Sequence, residues 1–468
     1  MRAERGRGAR AVRPSERKKE VFAERGQACA GKANTRQSVS GPAAVFWREV
    51  GETAAYALLG LAAGLGIGAV VGVFGRGVEF FSSFGAARFT LYVWFLPLAG
   101  LLTVFMLRKW GKRGIGMAAA FRASRGEEKN FPLRNAVFQF AGTWSAHLFC
   151  ASVGREGAAM QIGAAIGGGI GRTIRLHGAD TILIVAGMAA GFSALFGTPV
   201  CALFFALEVT VVGGIRLRAL TASAFASFAA YSASRLCGLA GEAFSVAVPQ
   251  FALASLPALA AVGAACGLAG LVFCVLRKAS GRFFRFAVKN SYVRVAAAGI
   301  LLACLLYLTQ GRYAGLGTNL VHAAFTGEKV YAFDWIVKIL FTAVTLSVGF
   351  MGGEVTTFFA AGACLGASLG GVLGLDPAFA AALGYAAVFG AATNTLFAPV
   401  FLCVEVFGGA ILPQAAVVCI VAYLFNFGHS VYNQRVREDI VWHVVRRIGV
   451  QREELPLRGK LGAFPVLP

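Results

Sequence analysis

Apolar positions in this chain come in long runs, separated by short polar or basic stretches. Crossing a bilayer core takes roughly 20 residues at about 1.5 Å rise per residue. The runs at 56–74, 91–106, 136–153, 181–212, 251–276, 293–308, 336–350 and 415–427 read as such spans. Two more stretches, 158–174 and 355–374, are apolar but too rich in small residues to be ordinary lipid-facing helices. Interrupted helices of that kind are tolerated at membrane depth only where protein or a water-filled cavity surrounds them. The pattern predicts an all-α polytopic membrane protein.

Composition agrees. Of 468 residues, 57% are hydrophobic and 14% charged, and the mean hydropathy is +0.68; a soluble fold could not keep that much apolar surface from water. The net charge of +22 would suit a nucleic-acid binder if it were spread over a surface. Instead the basic residues cluster at span ends, at Arg108–Arg113, Arg216 and Arg218, Arg277–Arg285 and Arg435–Arg447, and in residues 1–47, with eleven Lys/Arg against four Glu. That distribution reads as topology determinants facing the cytoplasm, with no nucleic-acid partner. Residues 1–45 lack the apolar core of a signal peptide, and residues 1–47 are expected to form a basic, disordered tail. A membrane domain is expected over 48–440 and a short cytoplasmic tail over 441–468. The ten Cys form no C-x-x-C pair and read as small buried hydrophobes. No cofactor or metal motif is present.

The chain repeats itself. Aligning 187 with 384 sets GMAAGFSALFGTPVCALFFALEV against GYAAVFGAATNTLFAPVFLCVEV, so that Phe192/Phe389, Thr198/Thr395, Phe204/Phe401 and Glu208/Glu405 coincide. Upstream, Gly154-Arg155-Glu156 falls opposite Gly352-Gly353-Glu354, and Gly163/Gly362 and Gly167/Gly366 match with one residue of slippage. Halves of about 50–236 and 250–440 follow. Duplicated membrane chains with glycine-broken helices at equivalent places are the mark of transporters whose site lies between the repeats. Half-helices ending inside the membrane present backbone N–H groups and partial positive charge, which favour an anion. Repeat helices packed through glycine with no ligand are the alternative.

The stretch GREGAAMQIGAAIGGGIG at 154–171 lacks the Gly-Lys-Ser/Thr ending of a phosphate cradle. Five scattered His without H-E-x-x-H argue against a membrane enzyme. GREGAAMQIG, followed by GFSALFGTPVCALFFALE at 191–208, resembles the signature of the CLC family of chloride channels and anion/proton exchangers, over about residues 50–440. The resemblance implies two inverted repeats, a homodimer in the inner membrane, and fluoride or chloride moved with protons. Glu354-Val355-Thr356 is similar to the fluoride/proton antiporter branch, where chloride-handling members usually have Ile/Val-Phe-Ala. FALEV at 205–209 lacks the second acid that serves chloride/proton exchangers as inner proton acceptor. The family loop Gly-Ser-Gly-x-Pro matches GIGM at 114–117, placing Ile115 at the serine. Thr357 stands where the family has Pro, and GHSVYNQ at 428–434 places Tyr432 at the central anion-coordinating tyrosine.

Those residues have physical roles to match. A membrane-deep carboxylate costs roughly 2.5 kcal/mol or more to insert; burial opposes the charged form of Glu156 while a helix N-terminus favours it, so proton exchange is permitted. By resemblance, deprotonated Glu156 occupies the anion site and protonated Glu156 swings away. Glu354 is a second protonatable stop replacing the inner acid. Gly154, Arg155, Gly157, Gly353, Val355, Thr356, Ile115 and Tyr432 are the expected anion-site residues. Fluoride needs compact, strong donors to replace its water shell, and Thr356 and Tyr432 carry hydroxyls; an interfacial anchor is the other reading of Tyr432. Glu208 and Glu405 read as helix-end acids, and His147 as a core histidine. A CLC-type chloride channel or chloride/proton exchanger is the competing function.

Overall fold

A computed structural model describes residues 42–436 apart from 112–114, 129–130, 177, 213–216, 242–243 and 433. The tails expected over 1–47 and 441–468 therefore lie outside the described residues, except for 42–47, which are helical. Residues 1–54 and 55–468 group as two units. In the first, an Arg48–Glu52 ion pair of 3.2 Å spans one helical turn at the surface.

In chain order the helices are α1 (Pro42–Ala87), α2 (Phe89–Tyr92), α3 (Leu96–Trp110), α4 (Met117–Ser124), α5 (Arg134–Leu148), α6 (Glu156–Thr173), α7 (Ala179–Phe196), α8 (Pro199–Thr210) and α9 (Leu217–Leu236). The second half has α10 (Leu256–Ala287), α11 (Ser291–Leu308), α12 (Thr318–Thr326), α13 (Asp334–Val348), α14 (Val355–Leu373), α15 (Pro377–Thr393), α16 (Phe397–Phe407) and α17 (Leu412–Phe425). Two two-residue strands, β1 (Val211–Val212) and β2 (Arg435–Val436), pair in parallel. Six helical segments among the described residues are long and apolar enough to cross a membrane.

The expected spans 56–74, 91–106, 251–276 and 293–308 match such segments, 136–153, 336–350 and 415–427 correspond to shorter helices, and one run is broken. The run 181–212 is not one span: α7 stops at Gly197, which takes the left-handed conformation (φ +76°), and Pro199 opens α8. Proline cannot supply the N–H that would carry α7 onward, so the chain breaks there. The second repeat breaks at the equivalent place, where Asn394 (φ +54°) closes α15 before α16. The 91–106 run stays one span, Phe89–Trp110, with a 3-10 turn at Val93–Phe95 and Pro97 in the first turn of α3.

The two halves are inverted repeats, and residues related by the repeat touch one another, as happens only beside a two-fold axis. Phe204 stacks on Phe401 at 4.7 Å and 9°, and Phe192 meets Phe389 at 6.1 Å. Helices α7 and α15, beside this axis, are buried almost throughout, whereas α1 and α11 leave apolar faces such as Val73 and Phe80, or Ile300 and Leu301, exposed where lipid would lie. Close approach within each repeat uses glycine: a Cβ on Gly163 would collide with the Gly187 carbonyl, and one on Gly362 with that of Gly384.

Each repeat also caps the other. Glu208 at the end of α8 accepts from the backbone N–H groups of Leu396, Phe397 and Ala398 at 3.0–3.3 Å. Glu405 in α16 accepts from Val200 and Cys201 at 2.8 Å. They are helix-end acids whose charge meets the positive end of the partner repeat's helix. Glu208→Ala and Glu405→Ala are each expected to cost about 1–2 kcal/mol of stability, seen as a lowered melting temperature in detergent.

Candidate functional site

The chain around Gly154 and Gly353 forms the junction of the two repeats. Gly154 and Gly353 exchange both backbone hydrogen bonds, N–H to carbonyl at 2.6 and 2.7 Å, as an isolated antiparallel bridge. Immediately after it, α6 and α14 begin, so two helix N-termini start at one buried point. No side chain fits between the strands of this bridge. A Cβ on Gly154 would meet the Glu156 carboxylate, Thr356 Oγ1 and the Gly353 carbonyl.

This bridge revises the repeat alignment. Gly154 pairs with Gly353, Arg155 and Glu354 are the residues preceding their helices, and Glu156 and Val355 are the first helical residues. With this pairing Gly154/Gly353, Gly163/Gly362 and Gly167/Gly366 share a single offset, so no slippage falls at the helix starts, and the two acids occupy non-equivalent positions one residue apart. That difference decides where they point.

Glu156 is fully buried and neither carboxylate oxygen meets a donor at normal hydrogen-bond geometry, although the backbone N–H groups of Arg155, Glu156 and Thr356 are turned toward it. Thr356 Oγ1 is also buried without a partner. Arg155 is buried and reaches Glu79 at 3.4 Å, while Val355 is fully enclosed in the first turn of α14. Gly157 leaves room for Gly353, whose Cα would lie 3.4 Å from a Cβ there.

Glu354 instead opens onto a cavity of about 680 Å³, lined also by Ile115, Gln139, Gln161, Arg277 and Tyr432. The Tyr432 hydroxyl faces the Glu354 carboxylate, and the charge of Arg277 acts on it. Tyr432 is 7% exposed and packs edge-on against Phe121 at 5.3 Å, so it is a buried cavity residue and not an interfacial anchor. Thr357, in the family's proline position, leaves α14 regular from its first turn and hydrogen-bonds Thr342 at 2.8 Å.

Some site residues escaped the sequence. Arg277, Lys278 and Arg285 line the cavity with Glu354, so part of a cluster read as a topology signal gives the cavity a positive potential toward anions. Arg277 is held by Ser347 at 3.0 Å. Gln139 donates to Gln161 at 2.8 Å, and Gln161 to the Gly157 carbonyl at 3.0 Å, tying α5 to the start of α6. Lys338 lies alone in the apolar run 336–350, which was the signal available. His147 is a core residue bonded through Nδ1 to the Thr143 carbonyl at 2.9 Å.

Inverted repeats whose broken helices start together at a buried glycine junction, with one acid sealed at it and one facing a basic cavity, define a polytopic membrane protein of the transporter class. The family model described as voltage gated chloride channel matches residues 98–426, and the chain belongs to that family, the CLC proteins. A chloride/fluoride channel protein of Pseudomonas syringae pv. tomato is 33% identical over 381 residues, covering 77% of this chain and 84% of that protein. An H(+)/Cl(-) exchange transporter of Vibrio parahaemolyticus is 26% identical over 318 residues, 62% of this chain and 66% of the relative. Among solved structures, a CLC-type fluoride/proton antiporter is 40% identical with a TM-score of 0.80, covering 82% of this chain and 98% of that one. A slow cyanobacterial Cl-/H+ antiporter, 18% identical over 83% of this chain and 98% of that one, shares the fold with a TM-score of 0.67.

Proposed function

We propose that the protein exports fluoride across the cell inner membrane in exchange for protons, with Glu156 as the gate and Glu354 as the second proton-accepting group. The observation that carries this reading is the placement of the two acids: one residue apart in the repeat, Glu156 is sealed at the junction while Glu354 faces the basic cavity. A carboxylate buried without hydrogen bonds is costly unless it takes up a proton or is exchanged for another anion of the pathway. A protonated Glu156 leaves the helix N-termini free, and backbone N–H groups near Gly154, Arg155, Gly157, Gly353 and Val355, with the Thr356 hydroxyl, then receive the anion. The proton leaves or arrives through Glu354, in reach of the Tyr432 hydroxyl and the cavity water.

The compact hydroxyl donors and the kinship with relatives whose names carry fluoride support fluoride over chloride. The basic lining of the cavity supports a cytoplasmic-side opening by the positive-inside rule. The transport domain spans 48–440 in halves of about 50–236 and 250–440, and works as a homodimer in lipid, as membership of the family implies.

Purified protein in liposomes loaded with fluoride or chloride, read by an anion electrode and a pH electrode together, tests the reading. Fluoride efflux is expected to drive protons inward, and Glu354→Gln to suppress proton uptake by about 100-fold. Chloride preference without proton movement would overturn antiport and leave a chloride channel; chloride preference with proton movement would leave a chloride/proton exchanger.

A further inference from the structure

Lys338 on α13 is fully buried in the membrane domain. Its ammonium donates to Ser152 Oγ at 3.0 Å and to the carbonyls of Tyr313 and Gly315 at 3.2 and 2.7 Å. All three acceptors are neutral, and no described carboxylate forms an ion pair with it. Asp334, one turn earlier on the same helix, is engaged by Arg312 Nε at 3.0 Å and by the Tyr313 hydroxyl at 2.7 Å. The carboxylate whose charge reaches Lys338 is Glu156.

The groups that hold Lys338 lead to both half-helices. Ser152, two residues before Gly154, bonds Thr342 at 3.1 Å, and Thr342 bonds Thr357 at 2.8 Å in the first turn of α14. The turn gripped through Tyr313 and Gly315 continues into Leu316, Thr318 and Asn319, which wall a second cavity of about 470 Å³ that ends on Thr356. Its only described titratable lining group is His322, which reaches Glu328 at 3.6 Å and is solvent-exposed.

A buried charge with hydrogen bonds but no counter-ion is strongly unfavourable. No described acid pairs with Lys338, so when it carries a proton its charge is left for a mobile group to balance. We infer that Lys338 is the fixed cation of the pathway, whose positive charge is balanced in turn by the Glu156 carboxylate and by the transported anion in the part of the pathway toward the second cavity. It acts through the field and not by touching the anion, and is a positioning residue in that sense. The inference rests on Glu156 alternating with an anion, but neither on which halide is carried nor on proton coupling.

The test uses the full chain in detergent, with fluoride and chloride affinities from calorimetry and melting temperatures in anion-free buffer. Lys338→Met is expected to weaken anion binding by about tenfold or more, with Lys338→Arg restoring most of it, because loss of the charge and not of the packing is at issue. Thr342→Val, which breaks the hydroxyl chain but keeps the charge, is expected to change affinity by less than about threefold. Melting should couple Lys338 to Glu156, the Lys338→Met penalty being smaller in a Glu156→Gln background. Unchanged affinity in Lys338→Met, equal losses in Thr342→Val and Lys338→Met, or additive melting shifts would each overturn the proposal. If Lys338→Met alone does not fold, recovery of the Glu156→Gln/Lys338→Met protein supports it and failure of the double variant overturns it. Fluoride or proton coupling can fail in the liposome assay with these results unchanged, which separates the two readings.

Discussion

Glu156→Gln is expected to abolish proton movement while anion flux continues. Gln is nearly the same size as Glu, so the packing at the Gly154–Gly353 junction survives, and only the ability to gain and lose a proton is removed. The wild-type carboxyl lies at a fully buried point without a hydrogen bond of normal geometry, where charge is costly and a neutral group less so. A permanently neutral side chain resembles the protonated gate, which no longer competes with the anion for the helix N-termini. Removal of a proton-transfer group typically costs about 10²–10⁴ in rate, so proton flux should fall by roughly 100-fold or more. Anion efflux should at the same time lose its dependence on external pH. The measurement is paired anion and pH recording from the same liposomes. Proton uptake persisting in Glu156→Gln would show that another group carries the proton.

Gly353→Ala is expected to disable transport by a different route. A Cβ at this position would lie 2.7 Å from the Gly157 nitrogen, 2.8 Å from Glu156 Oε2 and 3.1 Å from the Glu156 nitrogen. Two of these three atoms are backbone, and Gly353 is itself held by its reciprocal bonds to Gly154, so relaxation requires parting the two helix starts. Overpacking of a tight site costs about 1–3 kcal/mol, and the added methyl occupies space next to the N–H groups proposed for the anion. Flux per folded molecule should drop by more than about tenfold, since sub-ångström misplacement at such a site is enough. Gly371→Ala is the control: it sits in α14, the helix that follows Gly353, with nothing near its Cβ position, and a helical Gly→Ala change there is expected to be neutral or slightly stabilising, by up to about 1 kcal/mol.

Much of this is legible in the sequence. Run lengths and glycine-broken helices gave the membrane class, because the bilayer forces every spanning backbone group into internal hydrogen bonds. The repeat was legible through Phe192/Phe389, Phe204/Phe401 and Glu208/Glu405, since residues beside a two-fold axis must satisfy the same packing twice. Helix ends were less legible: Gly197-Thr198-Pro199 lies inside an unbroken apolar run, and hydropathy does not see a left-handed residue. Arg277 looked like any basic residue at a span end, because only packing turns it inward to Glu354.

By itself, then, the sequence determined that this is a duplicated, membrane-embedded helical protein of the CLC family with acids at glycine-rich helix starts. Period, run length and composition act locally and survive without knowledge of neighbours. The tertiary structure alone decided which acid is sealed and which lines the cavity, since a one-residue difference in register between Glu156 and Glu354 becomes a difference of environment only once Gly154 and Gly353 are paired. It also decided that Lys338 has neutral partners and no ion pair among the described residues, because the balance of charge at a buried point depends on groups nearly two hundred residues apart in the chain.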